Sequence, residues 1–306
     1  MSYRCLTIDI MLVRVKGLLS RWVNLLYSFV KSKGDMIVLN AWINLEFRRI
    51  EKRNFGDELS FYLLSELTGK TIVGLHNIPS WFNSQDLLFI GSLLEDFTTP
   101  NSIVWGSGAI CGGKPLKNKP AKVCAVRGKL TRQYLIEQGV ECPEVYGDPA
   151  LLLPIVYKPQ VTKKYKIGLI PHVIDLQNPL FLRLLDLNEN VKLISFANYE
   201  DWHSVIDQIN ECEFVVSSSL HGLIISDAYH IPNLWVRASD GIIGGNFKYH
   251  DYFTGVGRAI VEPIILDEDI TLEFLLEKKE QYKPIQFNVK SFLEASPIRI
   301  SSFYHY

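Results

Sequence analysis

Short runs of consecutive apolar residues alternate along most of the chain with longer stretches whose apolar residues recur every three or four positions. Runs of the first kind, bounded by Gly, Pro or charged residues, read as buried strands, and stretches of the second kind as amphipathic helices. Residues 36–44, MIVLNAWIN, make the first strand, followed by the charged run EFRRIEKR. Leu59, Leu63, Leu64 and Leu67 then form the apolar stripe of a helix that opens at Asn54-Phe55-Gly56-Asp57-Glu58 and closes at Gly69. Residues 86–91, 102–106 and 122–126 read as further strands and 129–138 as a helix. A linker pattern at 154–164 precedes a second round, with strands at 166–170, 192–195, 214–216 and 233–236 and helices at 178–187, 201–212 and 220–229. Residues 238–253 read as a polar, glycine-containing loop, 271–282 as a last helix, and the tail from Lys283 shows no assignable pattern.

Strands alternating with helices at this spacing form parallel sheets with helices on both faces, so the expected fold class is α/β with two Rossmann-like domains. The expected division is an N-terminal amphipathic helical segment at 1–34, domains at 35–158 and 159–282, and a tail at 283–306.

Composition changes this picture little. With 306 residues, 47% of them apolar, the chain can fill two cores. Its 32 basic and 33 acidic residues give no overall field that would attract nucleic acid, so no nucleic-acid partner is expected and an anionic ligand must meet a local cluster. Five scattered cysteines without a C-x-x-C pair fit a reduced, cytoplasmic setting, with neither a disulfide framework nor a structural zinc. Residues 11–30 are rich in Leu, Val, Trp and Phe, but Arg14, Lys16 and Arg21 interrupt them, which a spanning helix rarely tolerates. Residues 11–33 therefore read as an amphipathic helix, either packed on the body of the protein or attached peripherally to the inner face of the cytoplasmic membrane.

Candidate chemistry gathers at the carboxyl ends of the strands. Glu213 to Arg237 reads as strand, tight turn, helix and strand; its turn places Ser217, Ser218, Ser219 and His221 where the unpaired N–H groups of a new helix make a ready anion site. A helix cap and a core histidine are the plain alternatives there. Arg127 follows a strand, where a planar guanidinium can meet a carboxylate or phosphate, with Arg132 one helical turn further on. Pro171-His172 occupies the corresponding place after the first strand of the second domain. Asn54, Gly56 and Asp57 form a loop that either caps a helix or faces a sugar. Gly106-Ser107-Gly108 lacks dinucleotide spacing, so a nicotinamide cofactor is not expected, although close backbone approach to a ligand is open to it. Lys248, His250, Asp251 and Tyr252 fall in the 238–253 loop, read as a lid or acceptor-binding segment.

The stretches NFGDELS, WGSGAI, VRGKLTRQYLIEQG, YGDPALLLP, SSSLHGLIISDAYHIPN and FKYHDYF, in this order over residues 54–253, resemble the polysaccharide pyruvyl transferase family. The resemblance implies two Rossmann-like domains in a GT-B-like arrangement with an inter-domain cleft. It implies transfer of the enolpyruvyl unit of phosphoenolpyruvate to sugar hydroxyls, with galactose expected, in bacterial capsule or exopolysaccharide precursors, mostly as a cyclic ketal. Phosphoenolpyruvate is then a co-substrate with no further cofactor, and the acceptor is expected to be a lipid-linked oligosaccharide. Arg127 and His221 are implied to bind the donor, with the backbone near Leu220. Many members carry an Arg where this chain has Ser219, so Lys248, Arg237 or Arg132 is expected to replace that charge.

A small trianion needs cations and helix N–H groups, and ketal formation needs a proton for the methylene carbon and a base for the hydroxyl. The residues expected to meet the donor are Arg127, Ser218, Ser219, Leu220, His221 and Lys248, and those expected to meet the acceptor are Asn54, Gly56, Asp57, Asp251 and Tyr252. His221 is expected to bind the donor or transfer a proton, and Asp57 or Asp148 to act as base or sugar ligand, with a purely structural turn cap as the alternative for Asp148. The spacing shows no metal-ligand cluster, so metal-independent chemistry is expected. The competing readings are a GT-B-type glycosyltransferase using a nucleotide sugar and a non-catalytic sugar-binding or scaffold protein.

Overall fold

A computed structural model describes residues 35–43, 45, 46, 49, 50, 54–79 and 84–301, together with 17, 19, 22, 23, 25, 26, 29 and 30. Two five-stranded parallel sheets carry the fold. The first comprises β1 (Met36–Leu39), β4 (Thr71–Gly74), β5 (Asp86–Leu88), β6 (Ser102–Trp105) and β7 (Lys122–Ala125), in the spatial order β4-β1-β5-β6-β7. The second comprises β8 (Tyr165–Ile170), β9 (Val191–Leu193), β10 (Cys212–Ser217), β11 (Asn233–Arg237) and β12 (Ile264–Ile265), in the order β12-β11-β10-β8-β9. A short antiparallel pair, β2 (Leu45–Glu46) and β3 (Arg49–Ile50), stands apart.

The two sheets repeat one topology. Numbered within each sheet, both run 2-1-3-4-5, the doubly wound order in which successive connections leave the first strand in opposite directions. The direction reverses between β1 and β5 in one sheet and between β8 and β10 in the other, and such switch points are where ligand crevices open beyond the strand ends.

Local chemistry sets the element ends. The helix α1 (Phe55–Thr68) starts at Asn54, whose side chain accepts from the Gly56 N–H while its own N–H donates to Glu58 Oε1, and it closes at Gly69 in the left-handed conformation, φ 66°. Strand β1 ends at Leu39, earlier than the apolar run suggests, because Asn40 turns its amide toward Asp86 Oδ2 and Phe97 O, at 3.0 and 2.7 Å. Four further helices carry the connections: α2 (Leu94–Phe97), α3 (Lys129–Glu137), α4 (Leu153–Val156) and α5 (Pro179–Asp186). They are followed by α6 (Trp202–Asn210) and α7 (Leu220–Ala228).

The segment 238–253, expected as a loop, instead yields a helix, α8 (Phe247–Gly255), because Tyr249, Tyr252 and Phe253 share one buried face and Tyr249 stacks on Trp235 with centroids 4.3 Å apart. The region 271–282 forms α9 (Leu272–Glu277) and a 3-10 turn. The tail forms α10 (Val289–Glu294), which presses Phe292 onto Trp105 of β6 and takes the indole N–H on the Phe292 carbonyl at 3.1 Å. Helix α8 packs on α3 of the first sheet, and the 3-10 turn at Pro149–Leu152 packs on α7 of the second, so each half lends an element to the other. A single cluster of buried apolar residues accordingly runs from Leu39 and Phe55 through Leu223 and Trp235 to Phe292.

Candidate active site

Both switch points open into one cavity of about 620 Å³. Its wall comes from the strand ends of the first sheet through Trp42, Asn54, Asp57, Ser92 and Ile110, and of the second through His172, Ser219, Leu220, His221 and Lys248.

Two helix N-termini meet there and differ in one respect. The first turn of α1 is capped by Asn54 and carries Asp57 and Glu58. The first turn of α7 has no side-chain cap, since the Ser219 hydroxyl makes no such bond, and it presents His221. An uncapped N-terminus with a cation near it favours an anion, and an N-terminus already holding carboxylates does not.

Burial and charge set the ionisation of the wall. Burial pushes the Asp57 carboxyl up to about 7 against the pull of Lys248, and Asn54 Nδ2 donates to it at 2.8 Å. Burial pulls Lys248 down to about 8, helped by Arg127 and opposed by Asp57. Burial also takes His221 down to about 3 and His172 to about 4, with Lys248 lowering both further, so both imidazoles are uncharged at neutral pH. Buried Nε2 of His221 has no hydrogen-bond partner among the described residues. The ring lies so close to α1 that a Cβ on Gly56 would stand 2.2 Å from its Nδ1. Gly56 thus makes room for His221.

Comparison with known proteins adds the family. Residues 31–240, more than half of the chain, match the polysaccharide pyruvyl transferase family. The chain belongs to that family. It is 28% identical over 210 residues to an uncharacterised protein of Acanthamoeba polyphaga mimivirus, covering 67% of this chain and 71% of that one. It is 28% identical over 211 residues to the succinoglycan biosynthesis protein ExoV of Rhizobium meliloti (strain 1021), covering 67% of this chain and only 62% of the length of ExoV. The crystal structure of a functionally uncharacterised Klebsiella pneumoniae protein aligns over 86% of this chain and all of that one, with 13% identity and a TM-score of 0.41.

In this member of the family the structure gathers Asn54, Asp57, Ser219, Leu220, His221 and Lys248 around the cavity and leaves other expected residues behind it. Arg127 is fully buried. Its Nε pairs with Asp251 at 2.9 Å, while its terminal nitrogens donate to Ser92 Oγ and to Ala109 O, each at 2.6 Å. Gly108 makes space for it, since a Cβ there would stand 2.3 Å from Cζ. Asp251, expected at the acceptor, is committed to Arg127 and to the N–H and hydroxyl of Thr131. Tyr252, likewise expected there, is buried and donates to Asp227 at 2.7 Å. Ser218 accepts from the His172 N–H and donates to Asp175, locking the loops after β8 and β10 together without facing the cavity. Asp148 caps the turn through the Ala150 N–H, is held at about 7 by burial, and keeps Oδ2 buried, without a hydrogen-bond partner among the described residues and away from the cavity wall.

The glycine-rich loop also has an occupant of its own. The N–H groups of Ile110, Cys111 and Gly112 all donate to the Glu95 carboxylate, so this cradle is filled from within. Sequence reasoning missed Ser92 and Trp42 on the cavity wall. Gly91, with φ 117°, is the one mark of the turn that presents Ser92.

Among the described residues no helix is long and apolar enough to cross a membrane. Of the expected amphipathic segment, Leu19, Trp22, Val23, Leu26, Phe29 and Val30 are exposed. Leu25 packs beside Val38, Val73 and Ile78. Arg14, Lys16, Arg21, Lys31 and Lys33 lie outside the described residues.

Proposed function

We propose that this chain moves the pyruvate unit of phosphoenolpyruvate onto a hydroxyl pair of a sugar, expected to be galactose, in a polysaccharide precursor, forming a cyclic ketal and releasing phosphate. The observation that carries the reading is the pairing, within one cavity, of an uncapped helix N-terminus beside Lys248 and His221 with a carboxyl whose pKa is about 7. The first suits the anionic donor and the second the proton traffic.

Asp57, protonated in part at neutral pH, gives a proton to the methylene carbon, leaving C2 electron-poor. A sugar hydroxyl attacks C2 and surrenders its proton to the Asp57 carboxylate. The C2–O bond to phosphorus then breaks and inorganic phosphate leaves. The second hydroxyl attacks the same carbon and loses its proton, closing a ring whose carbon bears a methyl and a carboxylate. Of the two hydroxyl protons, one replaces that taken by the methylene and the other leaves with the phosphate. Lys248 and the first turn of α7 hold phosphate and carboxylate. Uncharged His221 orients the donor by hydrogen bonding, since it carries no proton to spare at neutral pH. No resident cofactor is invoked.

A lipid-linked oligosaccharide is the acceptor favoured by this reading. The exposed apolar residues between Leu19 and Val30 support a peripheral membrane contact through 11–33 that would bring such an acceptor to the cavity. The test is incubation with phosphoenolpyruvate and a panel of free and lipid-linked galactosides, followed by phosphate release and a mass search for the ketal. Phosphate release together with the ketal mass is expected. Turnover of a nucleotide sugar instead would assign a glycosyltransferase, and sugar binding without turnover a non-catalytic binding protein; either outcome overturns the reading.

A further inference from the structure

The resemblance implies that Arg127 binds the donor, yet its guanidinium is fully buried and bonded through all three nitrogens. One of these partners faces the cavity. Ser92 lines the cavity wall and accepts from Arg127 at 2.6 Å through Oγ. A hydroxyl has one proton to donate. With Arg127 donating to the oxygen, the Ser92 proton turns away from the guanidinium, and no described residue accepts it. Asp57, the proposed acid and base, lines the same cavity as Ser92, and its Oδ1 stands 3.6 Å from where a Cβ on the preceding Gly91 would be.

We propose that Ser92 is a donor-binding residue, through which the buried Arg127 acts on an anionic oxygen of phosphoenolpyruvate without touching it. The arrangement is built rather than incidental. Gly108 leaves room for the guanidinium, Asp251 and Thr131 fix its far side, and Gly91 turns the chain so that Ser92 meets its near side. A charged donor strengthens the hydroxyl as a donor in its turn, because bonds in a chain polarise one another where water is scarce. A cation kept out of contact also needs no stripping of its own hydration when the ligand arrives, the cost having been met on folding.

This assignment rests on the proposed donor, and its test separates the two. Titration calorimetry of the full chain with phosphoenolpyruvate and with inorganic phosphate is compared for the unaltered protein, Ser92→Ala and Ser92→Thr, well below their melting temperatures. Ser92→Ala is expected to weaken phosphoenolpyruvate about ten- to a hundredfold, the range of a hydrogen bond to a charged group. Ser92→Thr, which keeps the oxygen for Arg127 and the proton for the ligand, is expected to bind within about threefold of the unaltered chain. In turnover, Ser92→Ala raises the KM for phosphoenolpyruvate and leaves that for the acceptor unchanged. A lower melting temperature with unchanged affinity would make Ser92 merely a prop for Arg127 and overturn the assignment, as would equal weakening in Ser92→Ala and Ser92→Thr. If the unaltered chain binds neither anion, the donor itself is wrong and this assignment falls with it. If it binds and turns over while Ser92→Ala does so equally well, only Ser92 is wrong.

Discussion

Lys248 and Ser219 pose one question from two sides. Ser219 lines the cavity with a hydroxyl that caps no helix N–H, where the family resemblance leads one to expect an Arg, and Lys248 reaches the same cavity from α8 with no hydrogen bond or ion pair to a described residue. A trianionic donor needs more positive charge than one helix terminus offers, and Arg127 is already neutralised by Asp251. Lys248→Met is therefore expected to raise the KM for phosphoenolpyruvate about ten- to a hundredfold, the cost of losing one charge-assisted contact. If Lys248 replaces the missing Arg, then adding Ser219→Arg to Lys248→Met restores most of that affinity, which steady-state kinetics of the two single variants and the double variant would show. Simple additivity of the two changes would mean that the charges serve different oxygens.

At the scale of elements, the junction of α1 with α7 decides whether the cavity exists. Phe55 donates its N–H to Phe196 O in the loop after β9 at 2.7 Å, and Gly56 follows with no side chain beneath the His221 ring of α7. Gly56→Ala adds a helix-favouring methyl that clashes with that ring, so activity is expected to fall more than tenfold while far-ultraviolet circular dichroism keeps its helical signal. Unchanged activity would show that His221 moves freely. The pairing of α8 with α3 makes a contrasting case. Asp251→Ala strands a buried guanidinium and is expected to cost about 3–5 kcal/mol in urea denaturation, with no selective change in acceptor KM. Much of this was legible in the chain. The apolar runs of β8 and β10 and the serine turn before α7 announce a strand, a crossover and an open helix end, because parallel strands buried on both faces leave little room for polar residues. Helix α8 was not legible. Two of its three large buried aromatic positions are tyrosines, set among Lys, His and Asp, which read as polar until Trp235 and Asp227 are seen to receive them. Strand β12 is only two residues long and was not read, nor was β4, and Asp251 looked like site chemistry because no local pattern tells a cavity carboxylate from one facing an arginine 124 positions away.

For the whole molecule, buried titratable groups place a cost on stability, and the sign of that cost depends on pH. Asp57 and Asp148 ionise near 7 when folded and near 3.8 when unfolded, so between those values the folded state holds protons that the unfolded state has lost. Their contribution to stability therefore falls as pH rises from about 4 to about 7. His221 and His172 run the other way, ionising near 3 and 4 when folded and near 6.5 when unfolded, so their contribution falls as pH drops below about 6.5. The two trends overlap and oppose each other, and the unaltered chain is expected to show a shallow profile between pH 4.5 and pH 6.5 in urea denaturation. Removing one pair should expose the other. Asp57→Asn with Asp148→Asn is expected to gain on the order of 2 kcal/mol at pH 7.5 relative to the unaltered chain, and to lose stability steadily on acidification through the unopposed histidines. That double variant should be inactive at every pH if Asp57 carries the proposed proton chemistry. A double variant that stays active, or whose profile keeps the shape of the unaltered chain, would show that Asp57 on the cavity wall and Asp148 in its buried turn are held ionised as in water. The proton traffic proposed for Asp57 would then have to be carried by another group.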